Sequence, residues 1–191
     1  MAEKLVKNMA KIERLTQRHF QRGFSLIEVL VALVILVIGL IGIFNLHIIA
    51  KRGSFESFQQ TQASYYANDI INRMKLNSTQ LASYHGDYVG SKTAITPASP
   101  ACEGVTLCTP AQLVTWDLYE WQSAFSGENE VVGSQHVGGL DTPTACIRVN
   151  ANTVSVTMTW RGITETSDGI DNVDCGTASK RRRVFTLQTV I

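Results

Sequence analysis

The amino-acid sequence predicts an α+β fold in which one long N-terminal helix packs on a C-terminal antiparallel β-sheet. Three patterns support this prediction. Val29–Phe44 is a continuous apolar run, Ala63–Met74 carries apolar residues at helical spacing, and Thr153–Trp160 alternates apolar and polar residues as a half-buried strand does. With 191 residues, the chain has room for one modest domain and an N-terminal anchoring segment.

Residues 1–23 form a basic leader with six lysines and arginines against two glutamates. The remaining residues carry an acidic excess, 14 acidic side chains against 11 basic ones. A basic segment before an apolar run keeps the N-terminus in the cytoplasm while the rest of the chain crosses the membrane. Because no basic field covers the body of the chain, nucleic acid is not an expected partner.

Residues 24–50 are long and apolar enough to span a membrane, and they contain one acid, Glu28, and no lysine or arginine. An ordinary signal peptide has a shorter apolar region that ends in a small-residue cleavage site, which is missing here. A simple signal anchor fits the length and the charge but leaves Glu28 unexplained. A carboxylate deep in a membrane segment costs about 2.5–3.5 kcal/mol, so Glu28 is expected to have a functional partner.

The stretch Gly23–Glu28 reads Gly-Phe-Ser-Leu-Ile-Glu and, with the apolar run behind it, resembles the class III signal of type IV pilins and pseudopilins. The resemblance implies that a prepilin peptidase cuts after Gly23 and N-methylates the new N-terminus, Phe24. It also implies that Glu28 neutralises the N-terminal amine of a neighbouring subunit as the apolar helices bundle. A glycine before the cut lets an extended backbone enter a tight active site.

Residues 51–77 are expected to continue the same helix as an amphipathic half, since the sequence contains no proline up to this point. Asp69 and Arg73 form a favourable i,i+4 pair. The opposite, apolar face is expected to support the head: Ala63, Tyr66, Ala67, Ile70, Ile71 and Met74. Tyr66–Asn77 resembles the corresponding stretch of PilV-type minor pilins. Asn45 stands where major pilins usually carry a proline, which favours a minor subunit.

Residues 78–191 are expected to form the globular head, beginning with a loop over residues 78–108 that shows no periodicity. All four cysteines follow the apolar run, where an exported domain meets an oxidising compartment, so two disulfides are expected. The favoured connectivity is Cys102–Cys108 and Cys146–Cys175, although sequence alone allows three.

A short helix is expected over residues 110–125, because Thr109–Gln112 has the pattern of a capping box with proline at the first helical position. Trp116–Gln122 within it again resembles PilV-type sequences. Trp116 and Tyr119 have two interpretations, packing on the domain or contact with a partner. Packing is favoured.

The C-terminal part is expected to form an antiparallel sheet of three or four strands. The predicted strands are Ala145–Asn150, Thr153–Trp160 and Phe185–Ile191, with an irregular strand within Val131–Leu140. Alternation places the wet face of the second strand at Thr153, Ser155, Thr157 and Thr159.

No constellation of residues predicts catalysis or a cofactor. Asp168, Asp171 and Asp174 lack the EF-hand pattern, so a solvated loop is favoured over a calcium site. Lys180–Arg183 is a basic cluster for which a solvated run is favoured over contact with an acidic neighbour or DNA. The histidines form no metal-like or triad-like set, and no hydrolase or nucleotide-binding motif is present. The chain is therefore expected not to be an enzyme and to need no metal.

Taken together, the chain resembles PilV-type minor pilins of Gram-negative type IV pili. The resemblance implies a subunit that waits in the inner membrane with its head in the periplasm, primes pilus assembly and sits near the tip. The implied partners are the prepilin peptidase, other minor pilins, the major pilin and a large tip adhesin. Two alternatives remain open: a minor pseudopilin of type II secretion, and a DNA-binding pilin of competence.

Overall fold

The computed structural model describes residues 23–90, 95–133, 135–166 and 174–191. Their helices are α1 (Leu26–Leu76), a 3-10 helix (Ser78–Tyr84) and α2 (Pro110–Ser126). Their strands are β1 (Gly86–Val89), β2 (Val131–Val132), β3 (Gln135–His136), β4 (Thr144–Asn150), β5 (Thr153–Arg161) and β6 (Arg182–Val190). The predicted α+β class, a long N-terminal helix with a C-terminal antiparallel sheet, is confirmed. The chain divides into two compact units at Ile48 and Ile49.

The first unit contains the apolar part of α1. The helix begins because the Ser25 carbonyl accepts the backbone N–H groups of Glu28 and Val29, at 3.0 and 3.2 Å. The most apolar window of α1 has a mean hydropathy of 3.1, and none of it is buried. By length and composition this helix can cross a membrane.

The second unit is built around the amphipathic part of α1. In the described residues, a four-stranded antiparallel sheet has the order β1-β4-β5-β6. The predicted helix stripe is buried as expected, and it shares one core with aromatic residues of α2 and aliphatic residues of β5: Trp121, Phe125, Val154, Val156 and Met158. The indole Nε1 of Trp121 donates to the Tyr66 carbonyl at 2.8 Å, which joins α2 to α1 through a fully buried side chain.

The prediction that residues 78–108 form a loop is wrong at its start. The 3-10 helix leads directly into β1, which pairs with β4 from Gly86 opposite Ile147 to Val89 opposite Thr144. Only Gly86 and Tyr88 turn inward, so the strand is too short to leave a periodic signal. The ring of Tyr88 packs against the ring of Trp121, with 5.7 Å between the ring centroids. This contact holds β1 against the core.

Two further strand predictions need correction. β6 begins at Arg182 rather than Phe185, because Arg182 and Arg183 continue the pairing with β5. Thr159, predicted on the wet face, is only 3% exposed. Its hydroxyl donates to the Thr144 carbonyl at 3.1 Å, and Gly176 lies so close that a Cβ there would come within 2.7 Å of the hydroxyl oxygen. The segment around Gly176 therefore covers the face of β5 at Thr159.

The irregular strand predicted within Val131–Leu140 is instead a pair of two-residue strands, β2 and β3, which form their own small antiparallel sheet. Leu140, at the end of this stretch, is 1% exposed and belongs to the main core.

Candidate processing and assembly site

The first candidate site residues, Gly23 and Phe24, precede α1 without regular secondary structure. A Cβ at Gly23 would meet nothing within 4 Å, and Phe24 is 82% exposed. The bond between them is consequently not blocked by any described part of the chain. An unstructured, accessible bond is what an enzyme that binds extended backbone requires.

Glu28 lies in the first turn of α1, where the partial positive charge of the helix N-terminus favours a carboxylate. Its neighbours Ile27 and Val29 are 64% and 53% exposed. Across the residues that the structure describes, no side chain forms an ion pair or hydrogen bond with Glu28. Glu28 is thus a lone carboxylate on the apolar, exposed part of α1 that the structure describes.

A second cluster, centred on Arg73, lies in the head. Arg73 contacts Asp69 at 3.1 Å, as predicted, and also Asp117 at 3.2 Å and Glu120 at 2.6 Å. The Tyr84 hydroxyl donates to the second oxygen of Asp117 at 2.6 Å. The sequence missed these α2 partners, because nothing local connects residues 44 and 47 positions apart. The two stretches that carry the PilV-type resemblance therefore meet in one ionic network.

Burial and charged neighbours act in opposite directions on the pKa of Arg73. Burial alone would lower the pKa of Arg73, but hydrogen bonds to Glu120 and Asp117 and the charge of Asp69 raise it overall. Burial and the hydrogen bond to Asp117 raise the pKa of Tyr84. The arginine thus stays charged and the tyrosine neutral.

The basic cluster Lys180–Arg183 is not the solvated run that the sequence favoured. Arg182 is 6% exposed. The Arg183 Nε contacts a Glu56 carboxylate oxygen at 3.1 Å, with both side chains 19% exposed. Only Lys180 and Arg181 of the cluster are exposed. A strand that starts inside the cluster and packs against α1 accounts for the difference.

Glu56 of α1 clamps the chain that follows β5. Its Oε1 accepts the backbone N–H groups of Ile163 at 2.6 Å and Thr164 at 3.1 Å. Burial pushes the pKa of Glu56 up, but these two N–H groups and the charge of Arg183 outweigh it and lower the pKa below its usual value. The carboxylate therefore stabilises the head as an ion.

The remaining candidates fall into packing roles or outside the described residues. Trp116 is 8% exposed and lies 5.4 Å from the half-buried Tyr119, ring centroid to ring centroid, so the packing interpretation agrees with its position. Asp168 and Asp171 lie outside the described residues. Within those described, no cluster of histidine, cysteine and acidic side chains is suited to hold a metal ion.

Two disulfides are present, Cys102–Cys108 and Cys146–Cys175, each with a Cα–Cα distance of 5.8 Å. The first closes a small loop in which Val105 and Leu107 are 98% and 97% exposed. The second joins β4 to the segment that covers Thr159.

Comparison with known proteins bears on the N-terminal site. A family model described as the prokaryotic N-terminal methylation motif matches residues 18–44. The match supports a type IV pilin-like or pseudopilin protein. It includes Gly23, Phe24, Glu28 and the apolar run, and it ends before the head. No curated protein matches the chain, and no solved structure does.

Proposed function

We propose that this chain is a minor pilin that primes assembly of a type IV pilus and sits at or near the pilus tip with other minor pilins. The observation that carries the proposal is a single exposed carboxylate, Glu28, in the first turn of an exposed apolar helix that begins two residues after Phe24. The matched motif and the fold indicate a structural protein. Its chemistry is therefore supplied by its partners.

Cleavage after Gly23 creates a positive charge of the kind that Glu28 lacks among the described residues of its own chain. A prepilin peptidase of the inner membrane frees the amino group of Phe24, and methylation leaves that amine able to carry a proton. When apolar helices bundle, the amine of one subunit then lies beside Glu28 of a neighbour. In a low-dielectric surrounding each charge is costly alone and is tolerated when paired.

Minor status is supported by the head rather than by the leader. The stretches Tyr66–Asn77 and Trp116–Gln122 resemble PilV-type minor pilins, and Arg73 joins them through Asp117 and Glu120. Asn45 in place of a proline also favours a minor subunit. The proposed partners are the major pilin, other minor pilins and a large tip adhesin. The proposed location is the inner membrane, with a periplasmic head, followed by the extracellular pilus.

A minor pseudopilin of type II secretion is the second candidate, because the matched motif covers only the N-terminal region that both classes share. The two differ in where the mature chain is found, in sheared surface pili or retained in the envelope. A competence pilin that binds DNA is less favoured, since Arg183 is paired with Glu56 and Arg182 is buried.

Mass spectrometry of purified, sheared pili tests the proposal. We expect a chain that begins at N-methyl-Phe24 and is present far below the amount of the major pilin. A chain that still begins at Met1 in cells with an active prepilin peptidase would contradict the proposal. A correctly cut chain that never appears in sheared pili would favour the pseudopilin.

A further inference from the structure

The sheet of the head has two edges, and they differ in length and in charge. β1 is four residues long, and its Asp87 forms an ion pair with Arg148 at 2.6 Å. β6 is nine residues long, and Val184–Val190 contains neither a charged residue nor a proline. Natural proteins usually shorten, charge or cover such edges. Beyond the two arginines with which β6 begins, its Val184–Val190 edge has none of these protections among the described residues.

The register shows which backbone groups of β6 point outward. Two bonds continue the β5–β6 pairing beyond its ends: Gly162 N–H to the Arg181 carbonyl at 2.7 Å, and Ile191 N–H to the Asn152 carbonyl at 2.8 Å. Because hydrogen-bonded and non-bonded pairs alternate in an antiparallel ladder, odd-numbered residues of β6 bond to β5. The N–H and carbonyl groups of the even-numbered residues therefore face outward: Val184, Thr186, Gln188 and Val190.

A groove of about 560 Å³ lies on the helix side of this strand. It is lined by Phe185 of β6 and by one face of α1: Ser57, Gln60, Thr61, Ser64 and Tyr65. No charged side chain lines it, and Tyr65 is 66% exposed. No β5 residue lines it either, because Met158, the partner of Phe185, is fully buried. The groove thus opens beside the outer edge of the sheet.

We propose that the β6 edge and this groove together bind one extended, uncharged segment of a partner protein, which adds to the sheet as a fifth strand. Outward backbone groups repeat at every second residue, a spacing that only an extended chain matches. Alternate side chains of the added strand enter the groove, whose hydroxyl, amide and aromatic lining suits small or β-branched uncharged residues. Such binding would occur whether the chain joins a pilus or a pseudopilus.

Fluorescence anisotropy on the full-length chain in detergent micelles tests this binding mode. The probe is a labelled octapeptide of alternating valine and threonine with blocked ends. Gln188→Pro removes an outward N–H without touching the bonds to β5, whereas Gln188→Ala removes only the side chain. We expect saturable binding to the wild-type chain and to the Gln188→Ala variant, and binding about tenfold weaker to the Gln188→Pro variant.

Two further measurements remain informative even if Gln188→Pro impairs folding. A probe N-methylated at every residue should bind about tenfold more weakly to the wild-type chain, since it has no N–H donor on either edge. The unmodified probe should slow amide hydrogen exchange at Thr186 and Gln188 but not at Asp87. In the free chain the amides of Phe185 and Leu187 should exchange more slowly than those of Thr186 and Gln188.

Four outcomes would overturn the proposal. The first is no saturable binding of the octapeptide. The second is equal binding of the unmodified and N-methylated probes. The third is equal binding of a probe in which lysines replace two of the valines and two of the threonines, since either face of that strand would bring lysine into the neutral groove. The fourth is concentration-dependent dimerisation that Gln188→Pro abolishes, because the occupant would then be a second copy of this chain.

Discussion

The two units of the chain differ in how their key residues are surrounded. Every residue from Gly23 to Ile48 is exposed, and the side chain of Glu28 has no hydrogen-bond or ion-pair partner among the described residues. In the head, by contrast, residues far apart in sequence contact each other, as in the ion pairs of Arg73 with Asp117 and Glu120. The proposed role of the first unit therefore depends on other molecules, whereas the packing of the second is seen within the chain itself. Substitutions should therefore act on processing and assembly in one unit and on folding in the other.

Blocking the cut should have the largest effect. Gly23→Leu places a branched side chain in the extended backbone that the peptidase must bind, so we expect processing to be abolished while the head stays folded. Mass spectrometry of the membrane-bound chain measures the uncut fraction. Gly53→Ala is the matched control, because a Cβ at either position meets nothing within 4 Å. Normal cleavage of the Gly23→Leu chain would remove Gly23 from the site.

Trp121→Ala should have the largest effect on the head. The fully buried indole contacts the rings of Tyr88 and Phe125 and donates to the Tyr66 carbonyl. We expect the free energy of unfolding to fall by about 3–5 kcal/mol, as measured by denaturant titration followed by circular dichroism. Val105→Ala, at a 98% exposed position, should change it by less than about 0.5 kcal/mol. A loss of processing at Gly23 in a folded Trp121→Ala chain would break the separation between the units.

Glu28→Gln should separate assembly from cleavage and from folding of the head, because it removes the charge and leaves the cut site intact. We expect normal cleavage after Gly23, an unchanged free energy of unfolding of the head, and about tenfold less mature chain in sheared pili, which corresponds to about 1.4 kcal/mol of assembly free energy. Quantitative mass spectrometry measures the ratio of this chain to the major pilin. Wild-type incorporation of the Glu28→Gln chain would show that the carboxylate pairs with nothing in the filament.

Glu56→Gln should have the smallest effect and a defined pH dependence. The pKa of Glu56 is lowered in the folded chain, so its carboxylate adds stability above its unfolded pKa of about 4.3. That stability is lost as the pH falls through the folded pKa. We expect Glu56→Gln to cost about 1 kcal/mol at pH 7, and the difference from the wild-type chain to shrink below about pH 4. Denaturant titrations at several pH values measure it, with the exposed Glu103→Gln as control.

Local patterns made much of the fold predictable. The stripe Ala63–Met74, the helix after Thr109 and the inward residues of β5 each repeat within a few positions, so neighbouring residues suffice to predict them. The motif Gly23–Glu28 is contiguous as well. Glu56 and Arg183, by contrast, lie 127 positions apart, and nothing near either residue shows that the other will neutralise it.

The errors have the same physical origin. Alternation places Thr159 on the wet face because it describes only the strand to which Thr159 belongs. The segment that covers Thr159 lies further along the chain, at Gly176. β1 is held by the contact between Tyr88 and Trp121. The four residues of this strand contain no pattern that predicts a contact with so distant a residue. Sequence periodicity therefore predicts which face an element offers, but not which distant segment covers it.

The disulfide Cys146–Cys175 adds a maturation step that is independent of cleavage after Gly23. It closes a loop with a sequence separation of 29 residues and, in the chain-entropy description, contributes about 3–4 kcal/mol. In the topology proposed above, this bond forms on the periplasmic side, whereas the cut after Gly23 is made at the cytoplasmic face. A cell without periplasmic thiol oxidation would thus deliver a trimmed chain whose head has lost its tether over Thr159. In that topology, trimming and oxidation are separate reactions on opposite sides of the membrane.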